Sequence, residues 1–486
     1  MDKYFEISKR NSTIRKEIFA GITTFFAMAY IVFVAPNQIV ADGKNGWIVS
    51  AGLADANTVS KIWNSVFIAS ILVAVVGTLA MAFIAKMPLA TACGMGLNSF
   101  FCSVFIAGAA NNGENLVTGY QTGLVVIFLS GIVLVVITVT GLRQKIARTL
   151  PDSLKKSVSA GIGLFIAFVG LKNAGIVEKN EHTFVQIFDF HGRLSSANLS
   201  GIEAWRACVP PIVAIIGVVV IVVLNHKKNN ASVIFGILIS TILYWLLMWQ
   251  VPDFSLSGIG QPFKDFAEIG LGGLFNKDAW SMAWGDSFIG GAFSCVMLII
   301  VFCLVEVFDA IGALYGTCST AGLMDENGDP IKMNESMLCE SVGSIASSIL
   351  GTSSCATFVE SASGIGAGGR TGLSSLVTAG CFMLCLFMSP LAGIVPSSAT
   401  APALIYVGTL MAKNFANIDM SDMKQAVPAF LTFILMPLTY SITNGLGVGT
   451  IAYVLIAIFT GSFKKKDILI AVIAVLFVMK FITVTM

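Results

Sequence analysis

Charge is scarce in this chain. Aspartate, glutamate, lysine and arginine make up 12% of its 486 residues, against about 25% in a soluble domain. A surface so poor in charge cannot be wetted throughout, which excludes an ordinary water-soluble fold. The net charge of +2 and the pI near 8.0 leave no basic face for nucleic acid. Histidine is almost missing. His182, His191 and His226 all fall in predicted loops or at the end of an apolar run, so a histidine relay or metal cluster within a membrane is excluded. The ten cysteines include no CxxC pair and read as small buried hydrophobes, with no disulfide framework. A phosphate-binding lysine loop, a nucleophile elbow, HExxH and an aspartyl-phosphate motif are all missing. Neither an enzyme nor an ATP-driven pump is indicated.

What the chain does have is apolar length. Hydrophobic residues reach 56% and the mean hydropathy is +0.85. Runs near the roughly 20 residues that a spanning helix needs recur from end to end. They lie at 18–40, 63–86, 89–108, 119–142, 158–177, 209–225, 231–249, 287–316, 337–351, 355–369, 371–393, 399–412, 427–443 and 446–462. The chain is therefore predicted to be an all-α polytopic membrane protein with about fourteen transmembrane segments. The first run is longer than a signal-peptide core and reads as an uncleaved span. A further apolar piece, 467–484, reads either as an additional span or as an end helix packed on the bundle.

Lysine and arginine placement sets the orientation. With the N-terminus in the cytoplasm, Lys86, the group Arg143, Lys145, Arg148, Lys155 and Lys156, and the pair Lys227 and Lys228 all fall inside. The longer connections 178–207 and 250–286 carry many acids and fall outside. Lys172 and Lys480 sit near span ends and are expected to snorkel to the interface.

Two short segments are interrupted by small and polar residues: Pro88 to Ser99 and Gly351 to Ser361. Setting Cys93 against Cys355 also sets Asn98 against Glu360 and Ser99 against Ser361. Further on, Phe168-Val-Gly-Leu171 matches Tyr406-Val-Gly-Thr409. Matched interruptions in two halves point to inverted repeats with a binding site at their interface. Backbone in hydrocarbon must satisfy its own polar groups, so a broken helix survives only where protein or a cavity supplies partners. The break frees amide groups at a half-helix N-terminus, near Gly96 in the first case, which can hold the electron-rich edge of a ligand.

Acids inside the spans mark the candidate site. A carboxylate near the bilayer centre costs roughly 2.5–3.5 kcal/mol on the lenient scale, so it normally faces a cavity or a polar ligand. Glu360 is the strongest candidate, because no basic residue precedes Arg370 in its span. Glu306 and Asp309 are spaced i, i+3 and share a helix face; their repulsion favours a bound proton, one acid holding the ligand while the other titrates. Asn98 reads as ligand contact or as interhelical glue. Thr357 and Ser361 read as packing hydroxyls or as site lining.

The segments GITTFFAMAYIVFVAPNQI (21–39), GMGLNSFF (94–101), GIGLFIAFVGLKNAGIV (161–177), VEVFDAIGALYG (305–316), GTSSCATFVESASGIGAGGRTGL (351–373) and SPLAGIVP (389–396) resemble the AzgA-like purine permeases. These form a branch of the nucleobase–cation symporter, or xanthine/uracil permease, superfamily. The resemblance implies a seven-plus-seven inverted repeat of the UraA-like kind, with broken third and tenth spans. Residues 1–150 and 285–397 would form a core domain, and residues 151–284 and 398–486 a gate domain. It implies proton-coupled uptake of hypoxanthine, guanine or adenine across the plasma membrane by alternating access. Glu306, Glu360, Asn98, Thr357, Ser361 and Gly96 would bind substrate, with Asp309 and Glu306 in proton coupling. Phe100, Phe101, Phe308 and Phe358 are available to pack on the ring. The proton is the coupling ion and no other cofactor is expected. The partners expected are a purine nucleobase and the lipid bilayer, with a homodimer as an option. Sodium coupling, a xanthine or uracil substrate, and an anion transporter of the same fold are the alternatives.

Overall fold

The structure is a computed structural model. It describes residues 2–483 except 42, 45, 144, 146–150, 181–182, 196–200, 228, 230, 251–259, 286, 288, 322, 327–328 and 389–393. Arg148 and Lys228, counted above toward orientation, and most of the segment 389–396 lie outside the described residues, as does the side chain of Lys480.

Each predicted segment forms a helix or a broken helix. In chain order these are α1 (Ile14–Ile39), α2 (Ala56–Ala85), β1 (Thr91–Cys93) with α3 (Met95–Asn111), and α4 (Leu116–Val139). Then come α5 (Asp152–Asn173), the hairpin β2 (Val177–Asn180) and β3 (Phe184–Ile187), α6 (Gly201–His226) and α7 (Ser232–Met248). The second half runs α8 (Ala292–Ala321), α9 (Met333–Leu350), β4 (Cys355–Thr357) with α10 (Ser361–Gly366), α11 (Gly372–Leu384) and α12 (Ser397–Ala412). It closes with α13 (Met423–Leu438), α14 (Ile442–Phe459) and α15 (Ile468–Thr483).

Local chemistry starts and stops these helices where hydropathy alone does not. Asp55 accepts from the Thr58 amide at 3.1 Å to open α2, and Asn115 accepts from Val117 and Thr118 to open α4. Such caps contribute about 1 kcal/mol each. Pro151 and Pro396 immediately precede α5 and α12, their fixed φ launching the helix without a donor to satisfy. Gly351, at φ +89°, ends α9 in the left-handed region.

The third and tenth spans are broken, as the interrupted sequences require. β1 and β4 pair antiparallel in the register Thr91–Thr357, Ala92–Ala356 and Cys93–Cys355. Two three-residue strands buried in a bundle would leave their outer edges unpaired, and neighbouring side chains close them. Thr78 Oγ1 accepts from the Thr91 amide at 3.0 Å and donates to its carbonyl at 3.1 Å. On the far side Glu340 Oε1 accepts from the Thr357 amide at 3.1 Å. The backbone accounting that hydrocarbon demands is thereby met. α2 and α9 approach each other and the ladder through glycine: a Cβ on Gly77 would come within 2.9 Å, and one on Gly343 within 2.8 Å, of Cys355 Sγ.

α1, α2, α4, α9 and α11 pack around this ladder, whereas α5 packs on α12 and α13, and α6 on α7 and α12. α5 and α12 cross where Gly163 meets Gly408: a Cβ on Gly163 would lie 2.7 Å from the Gly408 carbonyl oxygen. One turn-pair along, Gly170 meets Ala401. The alignment of Phe168 with Tyr406 maps the first of these contacts onto the second, as a two-fold relation between the halves demands. The architecture is a seven-plus-seven inverted repeat.

Two segments lie outside the fourteen-span scheme. α15 runs against α14 and α8, with Phe477 and Phe481 over Gly447. Its 16 residues reach about 24 Å, the same length as α12 and α13, and it packs on the bundle. In the connection 250–286, expected to lie outside, the described part folds back as short helices. There Asp265, 1% exposed, accepts from Asn64 at 2.7 Å, and the Gly272 amide donates to the Ile349 carbonyl at 2.8 Å.

Candidate substrate-binding site

Beside the ladder lies a small cavity. The broken spans supply one wall, with Gly94, Met95 and Gly96 from the third and Ala356 to Glu360 from the tenth. α8 adds Asp309 and Ala313. The opposite wall comes from α5 and α12: Ser159, Ile162, Ile166, Val407 and Met411. The cavity is thus polar on one side and largely apolar on the other.

Glu360 stands at the junction of β4 and α10, half-buried, and its Oε1 accepts from the Tyr30 hydroxyl at 2.6 Å. Tyr30 sits where α1 changes from one helical segment to the next. Asp309 is half-buried on the same cavity, lying against Gly94. Thr357 lines it too, and among the described residues its buried Oγ1 has no partner. A buried hydroxyl without a partner costs about 1–3 kcal/mol, which a ligand entering the cavity can offset. Gly96 is held between Ile162 and Ile442: a Cβ there would lie 3.2 and 3.0 Å from them. The first turn of α3 leaves the Met95 and Gly96 amides without intrahelical acceptors, and both residues line the cavity. A carboxylate pair, a hydroxyl and free amides can together pair with the edge of a small flat heterocycle.

Three predicted residues do other work. Asn98 does not line the cavity; fully buried, it donates to Gln38 Oε1 at 3.2 Å and accepts from Ser353 Oγ. It ties the third span to α1 and to the approach of β4, which is the interhelical reading. Ser361 Oγ accepts from the Ala90 amide at 3.0 Å and closes the strand junction. Glu306 is separated from Asp309 by the strand. Ala356 lines the main cavity on one side and, on the other, a closely packed recess that holds Glu306. There Glu306 Oε1 accepts from Ser344 Oγ at 2.8 Å and Oε2 has no partner among the described residues. The i, i+3 spacing put both acids on one face, but neighbours about 60° apart can straddle a strand seated against the helix. Among the phenylalanines, Phe358 lines the cavity, whereas Phe100 packs on Phe302 and Phe101 on Phe105.

Sequence reasoning missed Tyr30, Glu340 and Arg143. Behind the ladder Arg143 Nη2 pairs with Glu340 Oε2 at 3.0 Å, both side chains almost fully buried. Nη1 also donates to the Met337 carbonyl at 2.9 Å. Arg143 was counted as a loop cation, and Glu340 was an acid inside an apolar span that carried the same signal as Glu360. Tyr30 had no signal beyond a hydroxyl in an apolar run.

The comparisons with known proteins bear on the family and the fold. The xanthine/uracil-type family model, described as "Permease family", matches residues 15–448. The chain is 34% identical to the adenine permease AdeP of Escherichia coli (strain K12) over 486 residues, covering 99% of this chain and 96% of that one. It is also 34% identical to the guanine/hypoxanthine permease PbuG of Bacillus subtilis (strain 168), covering 99% of each. Among solved structures it is similar in fold to the transmembrane domain of a cyanobacterial bicarbonate transporter, BicA, with TM-score 0.53, 16% identity, and coverage of 90% of this chain and 97% of that one. It is likewise similar to the murine anion transporter Slc26a9 in its inward-facing state, with TM-score 0.57, 12% identity, and coverage of 92% and 69%. With its family match spanning nearly the whole chain and its broken third and tenth spans paired at the centre, the chain belongs to the permease family of xanthine/uracil type and is a multi-pass membrane protein.

Proposed function

We propose that this chain takes up purine nucleobases across the plasma membrane, with its N-terminus in the cytoplasm, by proton symport. The observation that carries the reading is the convergence of Glu360, Asp309 and Thr357 on one cavity at the break of the tenth span. Full-length relatives named as adenine and guanine/hypoxanthine permeases support the substrate class. A purine presents adjacent N–H groups to a carboxylate, while its ring nitrogens or carbonyl accept from the Thr357 hydroxyl and the α3 amides. The apolar residues of α5 and α12 cover the ring face.

In this reading α1–α4 and α8–α11 move as a core against a gate of α5–α7 and α12–α14, within the bounds 1–150, 151–284, 285–397 and 398–486. The cavity opens in turn to either side. Glu306, behind the strand, serves with Asp309 as a proton-holding group coupled to Glu360 through β4 and needs no contact with the substrate. No cofactor other than the proton takes part.

Uptake of labelled hypoxanthine by cells stripped of their own purine permeases tests the proposal. Excess unlabelled hypoxanthine, guanine or adenine should compete, and uracil should not. Failure of every purine to be taken up or to compete would overturn it.

A further inference from the structure

A second cavity, of about 190 Å³, lies in the groove between α3 and α5, toward the C-terminal end of α5. Gly96 and Ile166 line the first cavity, and Ser99 and Val169, one turn further on, line the second. The two are therefore neighbours along α3 and α5. With the N-terminus inside, as proposed above, the second chamber is the outer one.

Its lining resembles a built site more than a packing defect. Gln38 Nε2, Ser99 Oγ and Asn173 Oδ1 are buried there without a partner among the described residues. Gln38 and Ser99 are each only 4% exposed. Unmet buried polar atoms are rare in native proteins and each calls for a cause. Water alone would satisfy them, but it does not account for the aromatic frame. Trp47 and Tyr440 both line the chamber, and Lys172 Nζ sits 5.4 and 4.9 Å from their ring centroids. Lys172, expected to snorkel to the interface, sits between two aromatic faces. Tyr440 presents its ring from a turn held at φ +50°, a conformation that bulky residues rarely adopt and that concentrates at ligand clamps.

We infer that this chamber is a second, outer nucleobase site from which the substrate passes to the Glu360 chamber. It rests on the nucleobase reading above. The heterocycle lies against Trp47 and Tyr440; its carbonyl accepts from Lys172 Nζ and Gln38 Nε2, and a ring N–H donates to Asn173 Oδ1. Lysine offers donors only, so the site favours purines with a ring carbonyl over adenine, whose exocyclic amino group is itself a donor.

Equilibrium binding of tritiated hypoxanthine to the purified full-length protein in detergent tests this. Wild type should bind two equivalents. Lys172→Met and, as an independent variant, Asn173→Leu should each lose one, the equivalent that remains showing that the variant is folded. Glu360→Gln should lose the other. Adenine should occupy the outer site about tenfold more weakly, a difference near 1.4 kcal/mol. One equivalent in wild type, abolished by Glu360→Gln and untouched by Lys172→Met and Asn173→Leu, overturns the outer site and leaves the transport proposal standing. No binding of any nucleobase overturns both.

Discussion

Cys93 stands opposite Cys355 in the central ladder, and the same two residues are equated when the halves of the sequence are aligned. A residue that pairs with its own repeat partner lies on the pseudo-two-fold axis. Both helix breaks therefore occur at the centre of the molecule, and the site is built where the symmetry axis passes. Symmetry ends at the side chains: the alignment places Asn98 opposite Glu360, and only the acid reaches the cavity.

Tyr30 holds Glu360 through a 2.6 Å hydrogen bond. Tyr30→Phe removes the donor and keeps the ring. A hydrogen bond to a charged group contributes about 1.5–3 kcal/mol, so the KM for hypoxanthine uptake should rise roughly ten- to hundredfold. An unchanged KM would show that Glu360 is positioned without it.

Thr357 and Ser361 lie four residues apart and should separate cleanly. Thr357→Val removes a hydroxyl with no partner among the described residues; substrate affinity should fall while the melting temperature holds or rises. Ser361→Ala leaves the Ala90 amide unmet. The melting temperature should fall, by the equivalent of about 1–3 kcal/mol. The reverse pattern would exchange their roles.

The buried Arg143–Glu340 pair anchors the Thr357 amide from behind. Removing one partner strands a charge, at a cost of about 3–5 kcal/mol. Arg143→Met or Glu340→Met alone should abolish or strongly reduce folded protein on size-exclusion chromatography. The double replacement should recover folding but not full uptake, because the strand edge held by Glu340 is lost. Equal melting temperatures in all four proteins would count against a buried pair.

Proton symport fixes the sign of the pH dependence. The proton enters with the substrate, so uptake should fall as external pH rises and should collapse with a protonophore. Uptake that persists under a protonophore and follows external sodium would replace the proton with sodium as the coupling ion.

Much of this was legible in the sequence, for identifiable reasons. Membrane length shows in composition, and each break shows as small and polar residues inside an apolar run. The carboxylate of Glu360 was legible because an acid in hydrocarbon has few alternatives to a cavity. Glu306 and Asp309 were not separable, because helical spacing fixes their angle and says nothing of the strand between them. Arg143 looked like a loop cation, since one sequence cannot show that the end of α4 turns into the bundle toward α9. Tyr30 was hidden because a phenol in an apolar span gives no charge signal until its acceptor is known. Asn98 and Ser361 hold backbone and neighbours together, which only the packed structure reveals.

The central claim is that Glu360 holds the substrate. Binding of labelled hypoxanthine to purified wild type and to Glu360→Gln, each checked for folding by its melting temperature, tests it most directly. The expected result is a loss of about a hundredfold or more in affinity at the central site, near 2.7 kcal/mol, in a variant that melts at or above the wild-type temperature. Unchanged affinity in the folded variant would contradict it.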